Sequence, residues 1–480
     1  MRTVFITIDD PAALKNIFGT KAWSKFLRSS ADARLVLLTR PGKKEEHEKF
    51  FAAPNITVEA LNPAFGSCLA LIAASLARSG IKTHTNLWSK MRSYERGDSS
   101  FLATIFKRAY TFLLGGSSLN KIFLRRAFLG LPPAKATASH FEKYQPSLLF
   151  AVSLTNIDFD VPIAVEAKRR GVRIVGLVRS WDNFSSHGLT RVVPDRLILQ
   201  NKFLKEMAER HQAITEKDVP IDIIGLPHYD IYAGFEKMFE SRESFFRRMG
   251  LDSSKKLILY GAMGDFLFPN EGGVADVFEE LIESRAIRES SQVLFRAHPK
   301  FNSPLERIKG MKHVKPDKDA SNITGDFMKH LVNSIYHSDL VVAGASTIVI
   351  DAVMVGKPVI CIGFDPVRSQ MPQASAVLPK AEQTSNGVGG TTKKVSYWTS
   401  VKRFYDSYTH FEALMETGRM PLANTKEELT RLINEAFGRK SYEGELRQKV
   451  IDLFVAPFDG QASERLARIF TEELRRIRNG

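Results

Sequence analysis

Short, continuous apolar runs alternating with helix-like stretches constrain this chain more than any other feature. Val4 to Ile8, Leu35 to Leu38, Ile56 to Ala60, Leu148 to Val152, Ile174 to Val178 and Arg196 to Leu199 read as one series of strands. Amphipathic or polar helices such as Ile163 to Arg170 and Lys202 to His211 fall between them. A strand apolar on both faces needs cover on both faces, and a parallel sheet flanked by helices supplies it. A second series follows at Asp222 to Gly225, Lys256 to Tyr260, Gln292 to Arg296, Leu340 to Ala343 and Pro358 to Gly363. Helices are expected there at Ser241 to Met249 and Ser346 to Val355. Two arrays of roughly 220 residues can each close a layered core. The expected fold is α/β: two Rossmann-like doubly wound domains facing a cleft, residues 1–222 and 223–457. The closing segment, 458–480, is expected to be a helix that packs back on the first domain.

The 68 Lys and Arg residues outnumber the 53 Asp and Glu, for a net charge of +15. Such an excess favours acidic partners: nucleotides, anionic lipid headgroups or nucleic acid. Nucleic acid is not expected, because the chain has no zinc-finger spacing and no aromatic-basic RNA-binding motif. Its longest basic tail is Arg475-Arg476-Ile477-Arg478. Two distant cysteines, Cys68 and Cys361, exclude a disulfide framework and suit a reducing compartment. The first ten residues read as a strand rather than a signal peptide. Apolar runs such as Cys68 to Ala77 fall short of the ~20 residues that span a bilayer. A cytoplasmic protein is expected, with a peripheral position at the inner face of the membrane open to it.

Phe101 to Pro133 breaks the rhythm, being helical in pattern yet both apolar and basic. One reading is an amphipathic helix packed on its own domain; the other is an interfacial pair facing an anionic membrane or a lipid-linked acceptor. Ala381 to Tyr397, rich in Gly, Ser, Thr, Asn and Lys, reads as a loop.

The most informative stretch runs from Ser338 to Asp365: strand, small-residue turn around Gly344, helix, Gly356-Lys357-Pro358, strand. It leaves Ser346 and Thr347 at a helix start, where unpaired amides and the positive end of the dipole suit a diphosphate. Asp351, a turn further on, is placed to reach a ribose or sugar hydroxyl. Capping alone also accounts for Ser346 as N-cap, Asp351 as a first-turn acid and Gly356 as the terminating glycine. Phe295-Arg-Ala-His-Pro-Lys300 ends a strand, which makes His298 a candidate general base or phosphate donor and Arg296 or Lys300 a charge-compensating partner. His228, in Ile223-Ile-Gly-Leu-Pro-His-Tyr-Asp230, is a further candidate ligand contact. In Arg179-Ser-Trp-Asp-Asn-Phe-Ser-Ser-His-Gly188, Asp182 and His187 are candidates for deprotonating an acceptor. Each has a structural alternative as a strand end, a hinge or a solvated turn. No metal motif, Walker loop or nucleophile elbow is present, so no metal or cofactor is expected.

Taken together, His298-Pro299, Ser346-Thr347 with Asp351, Gly356-Lys357-Pro358, Asp365 and Asp459-Gly460-Gln-Ala-Ser-Glu-Arg465 resemble the donor half of a GT-B-type glycosyltransferase. The closest resemblance is to the CDP-glycerol glycerophosphotransferase-like family of surface-polymer enzymes. Gly225-x-Pro227-x-x-Asp230 is similar to the crossover segment of such transferases and of sugar-nucleotide epimerases. The resemblance covers residues 220 to 470. It implies that His298, Ser346 and Thr347 meet the donor diphosphate and that Asp351 holds glycerol or ribose hydroxyls; Arg296, Gly344, His228 and Asp365 stand beside these as further candidates for the donor site. Thr347 stands where the family commonly has a second serine, and the family's acceptor-side motifs are not found in the N-terminal half.

The expected function is transfer of a sugar or glycerol-phosphate group from a nucleotide-activated donor to a hydroxyl of a glycan or lipid-linked acceptor, without a metal. The alternatives are a UDP-N-acetylglucosamine 2-epimerase-like isomerase and a non-catalytic nucleotide-sugar or glycan-binding protein. Against the epimerase, Ile8-Asp-Asp-Pro11 stands after the first strand in place of a Gly-Thr-Arg-Pro-type segment.

Overall fold

The computed structural model describes the chain except residues 1, 10–12, 64–66, 132–134, 156–157, 235–238, 265, 299–304, 321–326, 367–397, 418–419, 439–443 and 480. The loop expected over Ala381 to Tyr397 lies outside the described residues, as do Pro299 and Lys300. The chain forms two compact units: Met1–Lys237 with Ser407–Thr417 and Gly444–Gly480, and Met238–Asp406 with Gly418–Glu443.

In the first unit, seven described strands form one parallel sheet: β1 (Thr3–Thr7), β2 (Arg34–Thr39), β3 (Ile56–Ala60), β4 (Leu148–Ala151), β5 (Arg173–Leu177), β6 (Arg196–Leu199) and β7 (Ile221–Ile223). Their spatial order is β3-β2-β1-β4-β5-β6-β7. All five residues of β1 and all four of β4 are buried, as strands covered on both faces require. β7 corrects the sequence reading, which opened the second array at Asp222. Its Ile221, Asp222 and Ile223 pair with Leu197, Ile198 and Leu199 of the first sheet.

The C-terminal helix, Ala462–Asn479, packs back on this unit as expected. Its Leu466, Ile469, Phe470 and Leu474 join the core under β1 and β4. The Phe470 ring lies 4.0 Å from that of Phe150 and 5.2 Å from that of Phe26. Glu473 pairs with Arg173 of β5 and Arg196 of β6.

Two motifs far apart in sequence prove to be the halves of one joint. The Asp230 carboxylate accepts from the Ala462 and Ser463 amides at 2.9 and 2.8 Å, capping the C-terminal helix. Arg465 donates to the Ile224 carbonyl at 3.0 Å. Gly225 has φ +82°, and a Cβ there would sit 2.6 Å from the Pro457 carbonyl oxygen. Gly460 has φ +71° and meets Ala233 in the same way. Both glycines are required by backbone conformation and close approach together.

In the second unit, β8 (Lys256–Gly261), β9 (Ser291–Arg296), β10 (Val314–Pro316), β11 (Leu340–Ala343), β12 (Val359–Ile362) and β13 (Leu422–Ala423) form a parallel sheet in the order β10-β9-β8-β11-β12-β13. The chain winds outward from β8 to β10, then returns beside β8 and winds the other way. That reversal leaves a crevice beyond the carboxyl ends of β8 and β11, where doubly wound sheets bind ligands.

Candidate functional site

The turn after β11 stands at this switch point, and its small residues have a packing cause. A Cβ on Gly344 would overlap Met263 Sδ and lie 2.8 Å from Met263 Cγ. A Cβ on Gly261 would come within 2.7 Å of Ile348 Cγ2. The helix Ile348–Val355 therefore begins directly against the end of β8. The loop after β8 is in turn held by Glu271, whose fully buried carboxylate accepts from Tyr260 Oη at 2.8 Å and from the Met263 and Gly264 amides at 2.7 and 2.6 Å.

Ser346 is half-buried and Thr347 exposed. Ser346 is not the N-cap that capping logic assigns it. Thr347 occupies that position with helical φ and ψ, and its side chain makes no capping hydrogen bond. The hydroxyls thus lie at the start of the helix without serving its amides. Gly356 terminates the helix in the left-handed conformation, φ +78°, as expected. Asp351 is only 6% exposed, inside the second unit. Asp365, past β12, accepts from the Val401 amide at 3.0 Å and so fastens that segment to the sheet end. Burial pushes its carboxyl above the usual range, against opposing hydrogen bonds from Ser400 and Val401.

Arg296 ends β9, and its guanidinium is set by a buried cluster. Nη1 donates to Asp317 at 2.6 Å, and His330 Nε2 lies 2.7 Å from the other Asp317 oxygen. Phe327 covers the guanidinium at 5.2 Å. Nη2 is buried and has no hydrogen-bond partner among the described residues. Leaving a guanidinium nitrogen unpaired in the interior is costly, so an anion at the end of β9 would be welcomed. His298, two residues on, is half-buried.

The remaining candidates belong to the first unit. Asp182 precedes the short helix Asn183–Ser186 and accepts from Asn183 Nδ2 at 3.2 Å and Ser186 Oγ at 3.0 Å. Burial raises its carboxyl, but His187, His410, Ser180 and Arg179 outweigh that and hold it well below the usual range. His410, unforeseen in the sequence, enters from the Ser407–Thr417 segment. It lies 3.2 Å from Ser185 Oγ and 5.0 Å ring to ring from Trp181. Burial pushes it down to about 4, so it is neutral at pH 7. His228 is buried beside Tyr229 and lines a small cavity with Asn16, Arg179 and Gln200 at the ends of β5, β6 and β7. The cavity has room for about one water.

The structure thus brings Arg296, His298, Gly344, Ser346, Thr347, Asp351 and Asp365 to the carboxyl edge of the second sheet. Asp182, His187 and His228 lie at that of the first. Glu271, Asp317 and His330 had no local sequence signal, being recognisable only by what they touch. Among the described residues no group of His, Cys, Asp and Glu is arranged to hold a metal ion.

No protein-family model matches the chain, and no curated protein matches it. Solved structures do resemble it. A putative UDP-N-acetylglucosamine 2-epimerase from Listeria monocytogenes has TM-score 0.50 and 14% identity, over 99% of this chain and 97% of that one. The UDP-GlcNAc 2-epimerase of Methanocaldococcus jannaschii, in complex with UDP-GlcNAc and UDP, has TM-score 0.50 and 13% identity over 98% and 100%. The wall teichoic acid polymerase TagF has TM-score 0.48 and 11% identity over 99% and 89%. At such identities the likeness is one of architecture, and the two structures at TM-score 0.50 show that this chain has the two-domain α/β fold of the GT-B class.

Proposed function

We propose that the second unit binds the diphosphate of a nucleotide-linked donor, and that the chain transfers a sugar or glycerol-phosphate group from it to a hydroxyl of a glycan or lipid-linked acceptor. The observation that carries this reading is the Gly344–Thr347 turn at the switch point, with its two hydroxyls released from capping. The helix-start amides, Ser346, Thr347 and the Arg296 Nη2, which has no partner among the described residues, supply donors for a diphosphate without a metal. His298 is assigned to the phosphates or to the acceptor proton, and Asp182 and His187 to the acceptor. For a sugar, the new acceptor O–C bond replaces the anomeric C–O bond and nucleoside diphosphate departs with the electron pair. For glycerol phosphate, a new O–P bond forms and nucleoside monophosphate departs. In both, the hydroxyl proton passes to the base.

The solved structures named as epimerases favour a second reading, isomerisation of a nucleotide sugar. A thermal-shift screen of CDP-glycerol and common nucleotide sugars, on the wild type and Ser346→Ala, tests donor binding. A donor that raises Tm in the wild type alone supports the site, and no shift with any nucleotide refutes it. Incubating that donor without acceptor then separates the chemistries: a C2-epimerised sugar by NMR replaces transfer with isomerisation.

A further inference from the structure

Thirteen of the seventeen large hydrophobic side chains that are exposed among the described residues lie on three helices of the first unit, Cys68–Ser79, Phe101–Leu114 and Ser118–Gly130. These helices are joined to one another. Thr111 Oγ1 donates to the Ser79 carbonyl at 3.0 Å, and Tyr110 Oη donates to Asn120 at 2.9 Å. Two of them bury small or hydroxyl side chains where a core-packed helix buries large apolar ones, while Ser118–Gly130 buries Leu124 and Phe128 and still exposes Leu119, Ile122 and Phe123. The buried positions of Phe101–Leu114 are Thr104 and Thr111, one heptad apart. Those of Cys68–Ser79 are Ala70, Ala77 and Ser79. Outward stand Leu69 (70% exposed), Leu102 (78%), Phe106 (63%), Leu113 (72%), Leu119 (79%) and Phe123 (67%). Of the stretch Phe101 to Pro133, Leu124 and Phe128 pack inward, as a helix on its own domain requires, while most of the large apolar side chains of Phe101–Leu114 face outward. Contiguous apolar surface on this scale marks an interaction site.

Charge selects the partner. The sequence has no Asp or Glu between Glu59 and Glu95, and none between Asp98 and Glu142. Arg78, Lys82, Arg126 and Lys135 are exposed in these stretches, and the Lys82 ammonium sits 4.1 Å from the centroid of the exposed Phe112 ring. Large aliphatic and aromatic side chains bordered by cations, with no acid among them, complement the headgroup and upper acyl region of an anionic bilayer. Among the described residues no helix is long and apolar enough to cross a membrane, so such a surface lies on the bilayer and does not span it.

We propose that these three helices form a monotopic docking face for an anionic membrane. It is independent of the donor site, and places the first unit where a lipid-linked hydroxyl would be presented.

The test is vesicle flotation of the full chain with phosphatidylcholine alone and with added phosphatidylglycerol, compared with Leu102→Glu/Phe123→Glu. Both positions are exposed, so circular dichroism and Tm should match the wild type. Flotation with the anionic vesicles, weakened by salt and reduced about tenfold or more in the variant, is the expected result. Wild type that stays in solution with both vesicles overturns the proposal, as does equal flotation of the variant. A wild-type oligomer that the variant dissociates, without vesicle binding, assigns the face to a second copy and also overturns it.

Discussion

Replacing Asp317 with Asn removes one negative charge from the interior of the second unit and should be among its most damaging isosteric changes. The Asp317 side chain is wholly inaccessible, and it holds Arg296 at 2.6 Å, His330 at 2.7 Å and the Asp319 amide at 3.1 Å. Asn keeps the volume and one acceptor oxygen but leaves the Arg296 guanidinium, 6% exposed, without a counter-charge. Breaking a buried pair from one side costs about 3–5 kcal/mol, and the retained acceptor puts this case near the lower bound, about 3. For a unit of roughly 200 residues, at 2–4 °C per kcal/mol, the expected fall in Tm is about 6–12 °C. Differential scanning calorimetry of the full chain reads it, with hydrogen exchange on β9 and β10 to place it. Arg296→Met/Asp317→Leu removes both charges and should cost less than the single change. A loss below about 1 kcal/mol, or a double variant worse than the single, would refute the reasoning. The pH dependence has a definite sign. Burial raises the Asp317 carboxyl, but the His330 hydrogen bond and the Arg296 charge more than reverse it, so its folded pKa lies below the unfolded value. This stabilisation is present above about pH 4 and is lost as pH falls through the folded pKa.

Gly225→Ala forces a side chain onto a left-handed residue and into the Pro457 carbonyl, so it should cost about 2–4 kcal/mol in urea unfolding. Hydrogen exchange should then rise first in the C-terminal helix; unchanged protection there would count against the joint. Burial pushes Lys90 down to about 7, with help from Lys107 and Arg108. The unfolded chain therefore binds more protons than the folded one between about pH 7 and 10, and stability should rise by about 2 kcal/mol from pH 7 to 9 through this group. Lys90→Met should be stabilising at pH 6, by an amount that shrinks toward pH 9, and a pH-independent difference would refute the assignment.

The recurring strands were legible in the sequence because each is a local apolar run, and a run such as Leu340–Ala343 has few uses outside a covered sheet. β10 and β13 were not, because three- and two-residue edge strands carry too little pattern. The donor turn was visible as small residues before a helix, but its cause was not: Gly344 is small because Met263 packs on it.

Local pattern determined that this chain is α/β, that it winds two parallel sheets, and where candidate ligand residues stand along it. Only tertiary structure decided which sheet β7 joins, since strand pairing is set by a partner and not by the strand itself. It alone brought His410 beside Asp182, joined Asp230 to Ala462, and turned Thr104 and Thr111 inward. Periodicity reports that a helix has two faces; which face the core takes depends on neighbours that the helix's own sequence does not contain.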